Sequence, residues 1–363
     1  MEKKTVLVAM SGGVDSSVAA ALLVRQGHRV IGVTMKTFCY QEAEAELTGP
    51  TRSCCGLDGI MDARAVANRL GIAHYVFDVE REFTRDVIDD FVQEYAAGRT
   101  PNPCVRCNGN TKFRDLLRRG KMLGCDAIAT GHYARMGADG EGRPVLLRGV
   151  DANKDQSYFL WALPPEMLPQ LMFPLGELTK PEVRAIAREL GLETADKPES
   201  MEICFVPDGD YPRFLGKRLG ADHAALAPGE LVTTTGEVIG RHDGYARYTV
   251  GQRKGLGGGR PLPLYVIGTR PERREVVVGT ADELHRADVE IGELSWLSTP
   301  PAAGDAVQVQ IRHRAPAVDA TVAAIEGGAI RLEFAKPQRA VTPGQSAVIF
   351  RGDVVLGGGR IAS

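Results

Sequence analysis

The sequence predicts an α/β protein with a parallel-sheet N-terminal domain, followed by two small β domains: a central β domain and a C-terminal β-barrel. Up to about residue 200, strand-like runs alternate with helical patterns, as in parallel sheets covered by helices. After about residue 210, short alternating strands lie between glycine and proline turns. The predicted domains therefore span residues 1–208, 209–285 and 286–363.

The elements of the first region follow one another regularly. Apolar runs predict strands at 5–10, 29–35, 73–78 and 126–130, and helical periodicity predicts helices at 58–70, 82–97, 111–123 and 181–190. The last helix has clear ends, with Thr179 as its cap, Pro181 in its first turn and Gly191 after its end. Residues 41–57 are expected to form a mobile loop. Beyond residue 210, alternation at 230–239 and 307–311 predicts half-buried strands.

Composition indicates an ordinary soluble protein. The chain has 363 residues, a length sufficient for two or three domains. Of these residues 44% are hydrophobic and 25% are charged, which is typical of soluble globular proteins. No apolar run approaches the length of a membrane span, and no signal peptide precedes the first strand, so we expect a cytoplasmic location. In that compartment the seven cysteines are expected to be metal-binding, catalytic or buried, not a disulfide framework.

Basic residues are clustered although the net charge is only −2. Six of them lie between Arg106 and Lys121, against the single acid Asp115. Further clusters occur at 253–254, at 312–314 and around 336–339. Such patches on a near-neutral protein fit a nucleic acid bound along one face, although each patch alone is also typical of a solvated surface.

A glycine-rich motif, SGGVDSS, occupies residues 11–17 between the first strand and a helix. The glycines allow backbone N–H groups to turn toward one anion, and the helix N-terminus adds its positive end. Unlike a Walker A loop, the motif has no lysine, which favours a loop that holds the part of ATP leaving as pyrophosphate, with Asp15 placed to hold Mg²⁺. The motif resembles the signature of the N-type ATP pyrophosphatases (PP-loop enzymes, of adenine nucleotide alpha hydrolase-like fold), which activate an oxygen by adenylation. The alternative is an ordinary glycine-rich turn.

Two residues at strand ends are candidates for nucleotide contacts beside this loop. Met35 ends the second strand and could pack on adenine, although it could equally be part of the core. Gly131 follows the strand that ends at Thr130 and could let the backbone approach the nucleotide.

Two sulfur-bearing segments form a second constellation. Residues 98–113 suggest a rigid proline-bearing loop that ends at a helix cap, with Cys107 beside Arg106 just ahead of the helix. Both neighbours should stabilise a thiolate at Cys107 and make it a nucleophile. A zinc knuckle through Cys104 and Cys107 is the alternative, but no second CxxC or suitably spaced histidine pair completes it. Cys204, in the segment SMEICF at 200–205, would by itself suggest an inert buried thiol.

The combination of motifs is more specific than any one of them. SGGVDSS, PNPCVRCN, ATGHY, KDQSYF, SMEICF and YTVGQRKGL occur together in this order. Over essentially the whole chain, the sequence resembles the tRNA-specific 2-thiouridylase (MnmA, also TrmU) family. The resemblance implies an enzyme that adenylates the C2 oxygen of the wobble uridine with ATP and replaces it with sulfur from a cysteine persulfide. The products would be 2-thiouridine, AMP and pyrophosphate.

The resemblance also implies roles for individual residues. Cys204 matches the persulfide cysteine, and Cys107 matches the other catalytic cysteine. The implied ATP contacts are Ala9, Met10, Ser11, Gly12, Gly13, Val14, Asp15, Ser16, Met35 and Gly131. The implied contacts to the target base are Asn102, Pro103 and Cys104, and those to the rest of the tRNA are His132, Lys154, Asp155, Gln156, Arg312, His313 and Gln345.

Partners follow from the same resemblance. A disulfide between Cys107 and Cys204 would remain after sulfur transfer, so an external reductant is needed for turnover. A cysteine desulfurase or a sulfur-relay protein would recharge Cys204, and the expected substrates are the lysine, glutamate and glutamine tRNAs with a wobble uridine. Besides ATP and Mg²⁺, no resident metal is expected on the persulfide route.

One departure from the family pattern opens an alternative route. Cys104 stands where many family members have aspartate, so a carboxylate role at the target base cannot be transferred to this chain. Cys104, Cys107 and Cys204 also match the ligand set of related tRNA thiolases that hold a 4Fe-4S cluster with one open iron. Rival functions are a PP-loop amidotransferase, which leaves the two catalytic cysteines unexplained, and a non-catalytic tRNA-binding protein, which leaves the phosphate loop unexplained.

Overall fold

The computed structural model describes residues 2–37, 57–198, 203–220, 222–256 and 262–362. The chain forms two compact units. The first contains residues 1–87, 104–209 and 353–355, and the second contains residues 88–103, 210–352 and 356–363. Within the described ranges, no helix combines the length and apolar character that a membrane crossing requires. The loop expected at 41–57 lies outside the described residues except for Leu57.

The first unit contains the predicted parallel sheet. The strands of this unit are β1 (Thr5–Ala9), β2 (Arg29–Lys36), β3 (Ala73–Asp78), β4 (Ala127–Ala129), β5 (Ala134–Ala138), β6 (Pro144–Arg148) and β7 (Leu171–Met172). Five of them pair in the order β3-β2-β1-β4-β7, with every pairing parallel. β5 and β6 form an antiparallel hairpin. The prediction of a parallel-sheet domain is therefore confirmed.

Helices lie between and after these strands in the chain. In chain order they are α1 (Val14–Arg25), α2 (Leu57–Leu70), α3 (Glu80–Phe83), α4 (Asp89–Ala96), α5 (Pro103–Arg106), α6 (Phe113–Met122), α7 (Lys180–Glu189) and α8 (Tyr211–Leu219). One π-helical turn, Thr84–Ile88, joins α3 to α4, and another, Cys107–Lys112, joins α5 to α6. Short 3-10 turns occupy Ser157–Phe159, Pro165–Gln170, Tyr245–Arg247, Pro271–Arg273 and Asp282–Leu284.

The core of the first unit fixes the position of the loop between β1 and α1. Val6 and Val8 of β1 are fully buried, as expected for a central strand with both faces covered. They share one apolar cluster with Ala19 of α1, Ala63 of α2 and Val183 of α7. Small residues on α1 let the helix lie close to the sheet, so the segment entering the helix is held at the carboxyl edge of the strands.

The expected loop at 98–113 is wrong in its second half, because the chain is helical from Pro103 onward. Proline fits the first turn of a helix, where its missing N–H costs nothing. The Asn108 side chain donates to the carbonyl of Phe159 at 3.2 Å, and Gly109 lies so close to Ala162 that a Cβ would meet its carbonyl oxygen at 2.8 Å. These tertiary contacts hold Asn-Gly residues in a helix, although locally they favour a turn.

The second unit contains both β domains, except for residues 353–355, which belong to the first unit. β8 (Gly229–Thr233), β9 (Val238–His242), β10 (Tyr265–Arg270) and β11 (Glu275–Gly279) form a sheet in the order β10-β11-β8-β9. β12 (His285–Trp296), β13 (Ala306–Gln310), β14 (Val318–Glu326), β15 (Ala329–Arg339), β16 (Ser346–Arg351) and β17 (Val354–Ile361) follow in the order β12-β15-β14-β13-β16-β17. β17 also pairs with β12, which closes the second sheet into a barrel. The expected pair of β domains is confirmed.

The segment 88–103 packs against these β strands in the second unit. The Arg360 guanidinium forms ion pairs with Asp90 at 2.6 Å and with Glu94 at 2.6 Å. The Tyr245 hydroxyl donates to the carbonyl of Ala96 at 2.6 Å. These ion pairs and this hydrogen bond fix the position of the segment 88–103 within the second unit.

Candidate functional site

The loop between β1 and α1 is held by its own serines and by the neighbouring strand. The Ser16 hydroxyl accepts from the backbone N–H of Ser11 at 3.1 Å and donates to the carbonyl of Gly13 at 3.1 Å. The Thr34 hydroxyl, on β2, donates to the carbonyl of Met10 at 2.7 Å. These bonds fix the loop ahead of the first turn of α1, whose leading N–H groups have no acceptor within the helix. The arrangement fits an anion such as a phosphate.

Two glycines of the predicted site allow close approach of backbone segments. Gly12 has a φ of +72°, and a Cβ there would lie 2.3 Å from the carbonyl oxygen of Gly59, in the first turn of α2. A Cβ at Gly131 would lie 2.7 Å from the backbone nitrogen of Ser16. Gly131 thus brings the end of β4 against the first turn of α1, a packing role that the sequence did not suggest. Met35 is 8% exposed and lies at the same edge of the sheet.

Asp15 has strong partners that the sequence analysis missed. The Lys180 ammonium lies 2.7 Å and 2.8 Å from its two carboxylate oxygens, and the Tyr133 hydroxyl donates to it at 2.7 Å. Lys180 is only 7% exposed. A lysine therefore does reach the SGGVDSS loop, but it comes from α7 and not from the loop itself. One feature of the sequence could have drawn attention to Lys180: it is a cation at the start of a predicted helix, where the helix dipole disfavours positive charge.

A second lysine contacts the same loop. The Lys197 ammonium donates to the carbonyl of Gly12 at 3.1 Å and forms an ion pair with Asp62 of α2. This contact ties the chain just after α7 to the phosphate loop. Residues 199–202 of the SMEICF region lie outside the described residues, while Cys204 is half-buried and followed by Phe205, whose ring packs edge-on against Phe83 at 5.8 Å.

The predicted nucleophile, Cys107, is half-buried at the first position of the π-helical turn, not ahead of a helix. It follows one helical turn that starts at Pro103, so the positive helix end expected to stabilise its thiolate lies before it in the chain. Cys104 is exposed. The four described cysteines, Cys104, Cys107, Cys125 and Cys204, are present as thiols and not in disulfide bonds, while Cys39, Cys54 and Cys55 lie outside the described residues.

His132 lies between the phosphate-loop side of the sheet and the start of α6. Its Nδ1 is 2.6 Å from the Thr130 hydroxyl oxygen, and its ring packs against Phe113 at 5.9 Å and Phe173 at 6.2 Å between ring centres. Burial holds the pKa of His132 well below its ordinary value of 6.5, and the Lys112 cation lowers it further. The ring is therefore neutral at physiological pH and offers a flat, uncharged surface.

The predicted tRNA contacts at 154–156 differ in the hydrogen bonds that they form within the protein. The Asp155 carboxylate accepts from the backbone N–H of Gly149 at 3.0 Å and from the Arg148 guanidinium at 3.1 Å. The Gln156 side chain accepts from the N–H of Tyr133 at 3.1 Å. Both therefore order the chain around β5 and β6. Lys154 is half-buried, and its backbone N–H donates to the carbonyl of Asp151.

Two predicted tRNA contacts in the second unit also bind within the protein. The Arg312 guanidinium donates to the carbonyls of Val250 and Ala340 and to the Thr342 hydroxyl, at 3.1, 2.8 and 2.6 Å. The Gln345 amide donates to the carbonyls of Thr100 and Pro101. His313 is exposed on the barrel, and Asn102 is half-buried beside buried Pro103. The prediction that these residues meet tRNA stays a prediction.

The side chains that could hold a metal are few in the described part of the chain. Asp15 fits Mg²⁺, because this ion is usually held by one or two carboxylates together with substrate phosphates. In residues 2–37, 57–198, 203–220, 222–256 and 262–362, no group of three or more His, Cys, Asp or Glu side chains gathers as a metal-ligand set. Across these ranges Cys104, Cys107 and Cys204 therefore do not form the assembled three-thiolate site that a 4Fe-4S cluster requires.

Comparison with known families matches nearly the whole chain. Residues 4–208 match the family described as "tRNA methyl transferase HUP domain", residues 214–280 match "tRNA methyl transferase PRC-barrel domain", and residues 286–361 match "Aminomethyltransferase beta-barrel domain". The three matched segments correspond to the parallel-sheet region, the four-stranded sheet and the closed barrel.

Curated relatives match over nearly their full length. The tRNA-specific 2-thiouridylase MnmA of Geobacter metallireducens is 50% identical over 359 residues, covering 99% of this chain and 97% of the relative. The protein of the same name from Carboxydothermus hydrogenoformans is 49% identical over 363 residues, covering 99% and 98%. Among solved structures, a 4-thiouridine synthetase–RNA complex with bound ATP is 16% identical, with a TM-score of 0.35 and coverage of 60% of this chain and 51% of the other.

Proposed function

This chain belongs to the MnmA family of tRNA-specific 2-thiouridylases, and we propose that it uses ATP to replace the C2 oxygen of the wobble uridine of tRNA with sulfur. Identity of 50% across 99% of the chain carries this proposal, because it spans both the phosphate loop and the two candidate cysteines. The domains would divide the work as a catalytic domain at 1–208, a central β domain at 209–285 and a tRNA-binding barrel at 286–363.

The phosphate loop would perform the activation step. A uracil carbonyl oxygen is a poor leaving group, and attachment of AMP makes it a good one. Backbone N–H groups of Gly12, Gly13 and the first turn of α1 would bind the phosphates, and Asp15 would hold Mg²⁺ against them. When bound, Mg²⁺ would neutralise charge on the departing pyrophosphate. Met35 and Gly131 would border the adenosine.

The two cysteines would perform the sulfur transfer. The outer sulfur of a Cys204 persulfide attacks C2, and AMP leaves with the electron pair of the broken C–O bond. The Cys107 thiolate then attacks the inner sulfur of Cys204, which releases 2-thiouridine and forms a Cys107–Cys204 disulfide. A thiol reductant supplies two electrons to restore both thiols, and a cysteine desulfurase or relay protein recharges Cys204.

The alternative sulfur route places a 4Fe-4S cluster on Cys104, Cys107 and Cys204. We propose the persulfide route for this chain, because it needs only two of these thiols, Cys107 and Cys204. Anaerobic purification followed by iron and acid-labile sulfide analysis tests the alternative. Stoichiometric iron that is lost together with thiolation in Cys104→Ser would establish the cluster route.

We also propose a cytoplasmic location, where thiols stay reduced.

Pyrophosphate release tests the proposal as a whole. We expect release to depend on added tRNA, whereas an amidotransferase would release pyrophosphate with a small acceptor and without tRNA. A tRNA-binding protein without catalytic activity would release none. Asp15→Ala is expected to abolish release while tRNA still binds, because the carboxylate serves the metal ion and the leaving group. Thiolation by the Asp15→Ala variant at the wild-type rate would overturn the adenylation mechanism.

A further inference from the structure

The motif YTVGQRKGL at 248–256 has no part in the reaction steps proposed above, and the structure describes all of it. Residues 249–255 form a loop, which we call the QRKG loop. The Gln252 side chain accepts from the backbone N–H of Thr249 at 3.1 Å and donates to the carbonyl of Lys254 at 3.0 Å. Because one side chain bonds the loop backbone on both sides of itself, the loop has a defined conformation.

The QRKG loop is also fixed by its surroundings in the second unit. Gly251 has a φ of +88°, and its N–H donates to the carbonyl of Val266, on β10, at 2.8 Å. A Cβ at Gly251 would lie 3.1 Å from the Cβ of Ala340, so the loop backbone passes close to the barrel. The Arg312 guanidinium donates to the carbonyl of Val250 at 3.1 Å. The loop is therefore held by both β domains.

Two cations are what this fixed loop presents to solvent. The side chains of Arg253 and Lys254 are exposed, and neither forms an ion pair with any described residue. Adjacent cations repel each other, and a loop with a fixed backbone cannot move them apart. An anion with several charges would remove this repulsion, so the loop suits a polyanion such as the phosphate backbone of a nucleic acid.

The position of the QRKG loop indicates which part of a nucleic acid it would meet. The Thr100 hydroxyl donates to the Thr249 hydroxyl at 3.4 Å, and Thr100 lies two residues before Asn102, a predicted contact to the target base. Arg253 follows Thr249 by four residues, so the chain separates their Cα atoms by at most about 14 Å. The two cations thus lie near the segment expected to bind the target uridine.

We infer that Arg253 and Lys254 bind backbone phosphates of the anticodon stem-loop, beside the target uridine. Contacts to phosphates carry no sequence information, but they set the register and orientation of the bound RNA. The QRKG loop therefore positions the anticodon for the base contacts at 102–103. This inference rests on the proposed function, because it assigns a site for the RNA substrate of the same reaction.

The test compares full-length tRNA with an isolated anticodon stem-loop RNA that contains the same wobble uridine. Fluorescence anisotropy measures the affinity for both RNAs at several salt concentrations, for wild type and for the double variant Arg253→Ala/Lys254→Ala. We expect the double variant to bind both RNAs about tenfold more weakly, as for loss of charged hydrogen bonds. The slope of log affinity against log salt should fall by about 1.4–1.8 on both RNAs, for two lost phosphate contacts.

The stem-loop RNA makes the outcome decisive. If the double variant binds the stem-loop as wild type does, the inference is overturned, even where binding of full-length tRNA is weaker. Arg253→Lys/Lys254→Arg keeps both charges and should retain most of the affinity, whereas equal weakening in this variant would show that the substitutions disturb the loop itself and would contradict the inference. Arg241→Ala is the matched control, because it removes an exposed cation of β9, at the opposite edge of the four-stranded sheet from β10.

A kinetic readout separates positioning of RNA from the chemical step. At saturating ATP, the double variant should raise the KM for tRNA about tenfold and keep the kcat of pyrophosphate release, because the same phosphates are bound before and during the reaction. A lower kcat with unchanged KM would contradict the inference. Wild-type protein that binds tRNA but releases no pyrophosphate would instead refute the proposed function, so the two failures give different results.

Discussion

The Gln345 side-chain amide donates to the backbone carbonyl of Thr100 at 2.9 Å, and thereby joins the C-terminal barrel to the segment 88–103 within one unit. The same amide nitrogen also donates to the carbonyl of Pro101 at 3.0 Å. Gln345, which is predicted to contact tRNA, thus also holds the backbone next to Asn102 and Pro103 in place. Asn102 and Pro103 are the predicted contacts to the target base.

Replacement of the Gln345 amide by a carboxylate should remove these two hydrogen bonds and destabilise the folded protein. In Gln345→Glu an acceptor faces two carbonyl oxygens, so we expect a loss of about 1–3 kcal/mol in the free energy of unfolding. The midpoint of urea unfolding measures this loss. Gln338→Glu is the control, because the Gln338 amide donates to the carbonyl of Lys336 in the same strand, through a bond that is exposed to solvent. If Gln345 serves tRNA alone, its variant will unfold as wild type does while binding tRNA less tightly.

Gly12→Ala should damage the phosphate loop by collision as well as by backbone strain. Its Cβ would lie 2.3 Å from the Gly59 carbonyl oxygen, whereas a Cβ at Gly71, where φ is a similar +65°, would have no neighbouring atom within 4 Å. Gly71→Ala should therefore cost only the left-handed strain, about 1–2 kcal/mol, and keep pyrophosphate release. Gly12→Ala should lose both more stability and ATP binding. Equal effects of the two substitutions on unfolding and release would contradict the collision.

The cysteine assignments can be tested with a labelled sulfur donor. Cys204→Ser should accept no sulfur, whereas Cys107→Ser should accept it but make no 2-thiouridine. Cys125→Ser is the control and should keep activity, because partial burial raises the pKa of Cys125 and the neighbouring Asp126 raises it further, which disfavours a reactive thiolate. Labelled sulfur on Cys107 of the Cys204→Ser protein would reverse the two roles.

The tRNA-binding face can be tested through the salt dependence of affinity. Lys154→Ala should weaken tRNA binding and lower the slope of log affinity against log salt by about 0.7–0.9 for one lost phosphate contact. Arg312→Ala is less informative, because its guanidinium also binds the carbonyls of Val250 and Ala340 and its loss should lower the stability of the barrel. Lys3→Ala, at an exposed site, is the control. An unchanged slope in Lys154→Ala would remove Lys154 from the binding face.

His132 should remain neutral well into the acid range. Its pKa in the folded protein lies below the ordinary value of 6.5, so the unfolded chain binds the proton more readily. Stability contributed by this neutral ring is therefore fully present above about pH 6.5 and is lost as the pH falls below that value. Imidazole NMR of the protein, with His132→Gln to assign the resonance, measures the pKa directly. Titration of His132 near 6.5 in the folded protein would contradict this lowered pKa.

The sequence alone determined the fold class and most of the element positions. Strands β1 and β2 were predicted within one residue, because buried parallel strands are short apolar runs with a distinct composition. The start of α7 was also readable, since Thr179 and Pro181 are local signals whose effect does not depend on distant residues. The motifs SGGVDSS and SMEICF carried the family resemblance in the same way.

Tertiary structure decided what lies around the site. The chain from Pro103 to Lys112 is helical because Asn108 contacts Phe159 and Gly109 contacts Ala162, and local turn preferences lose to that long-range packing. Lys180 reaches Asp15 across 165 positions, a pairing that no local pattern encodes. Chain order fixes which residues are available, but only the folding of α7 against α1 brings this cation and this carboxylate together, because long-range electrostatic contacts depend on distance in space.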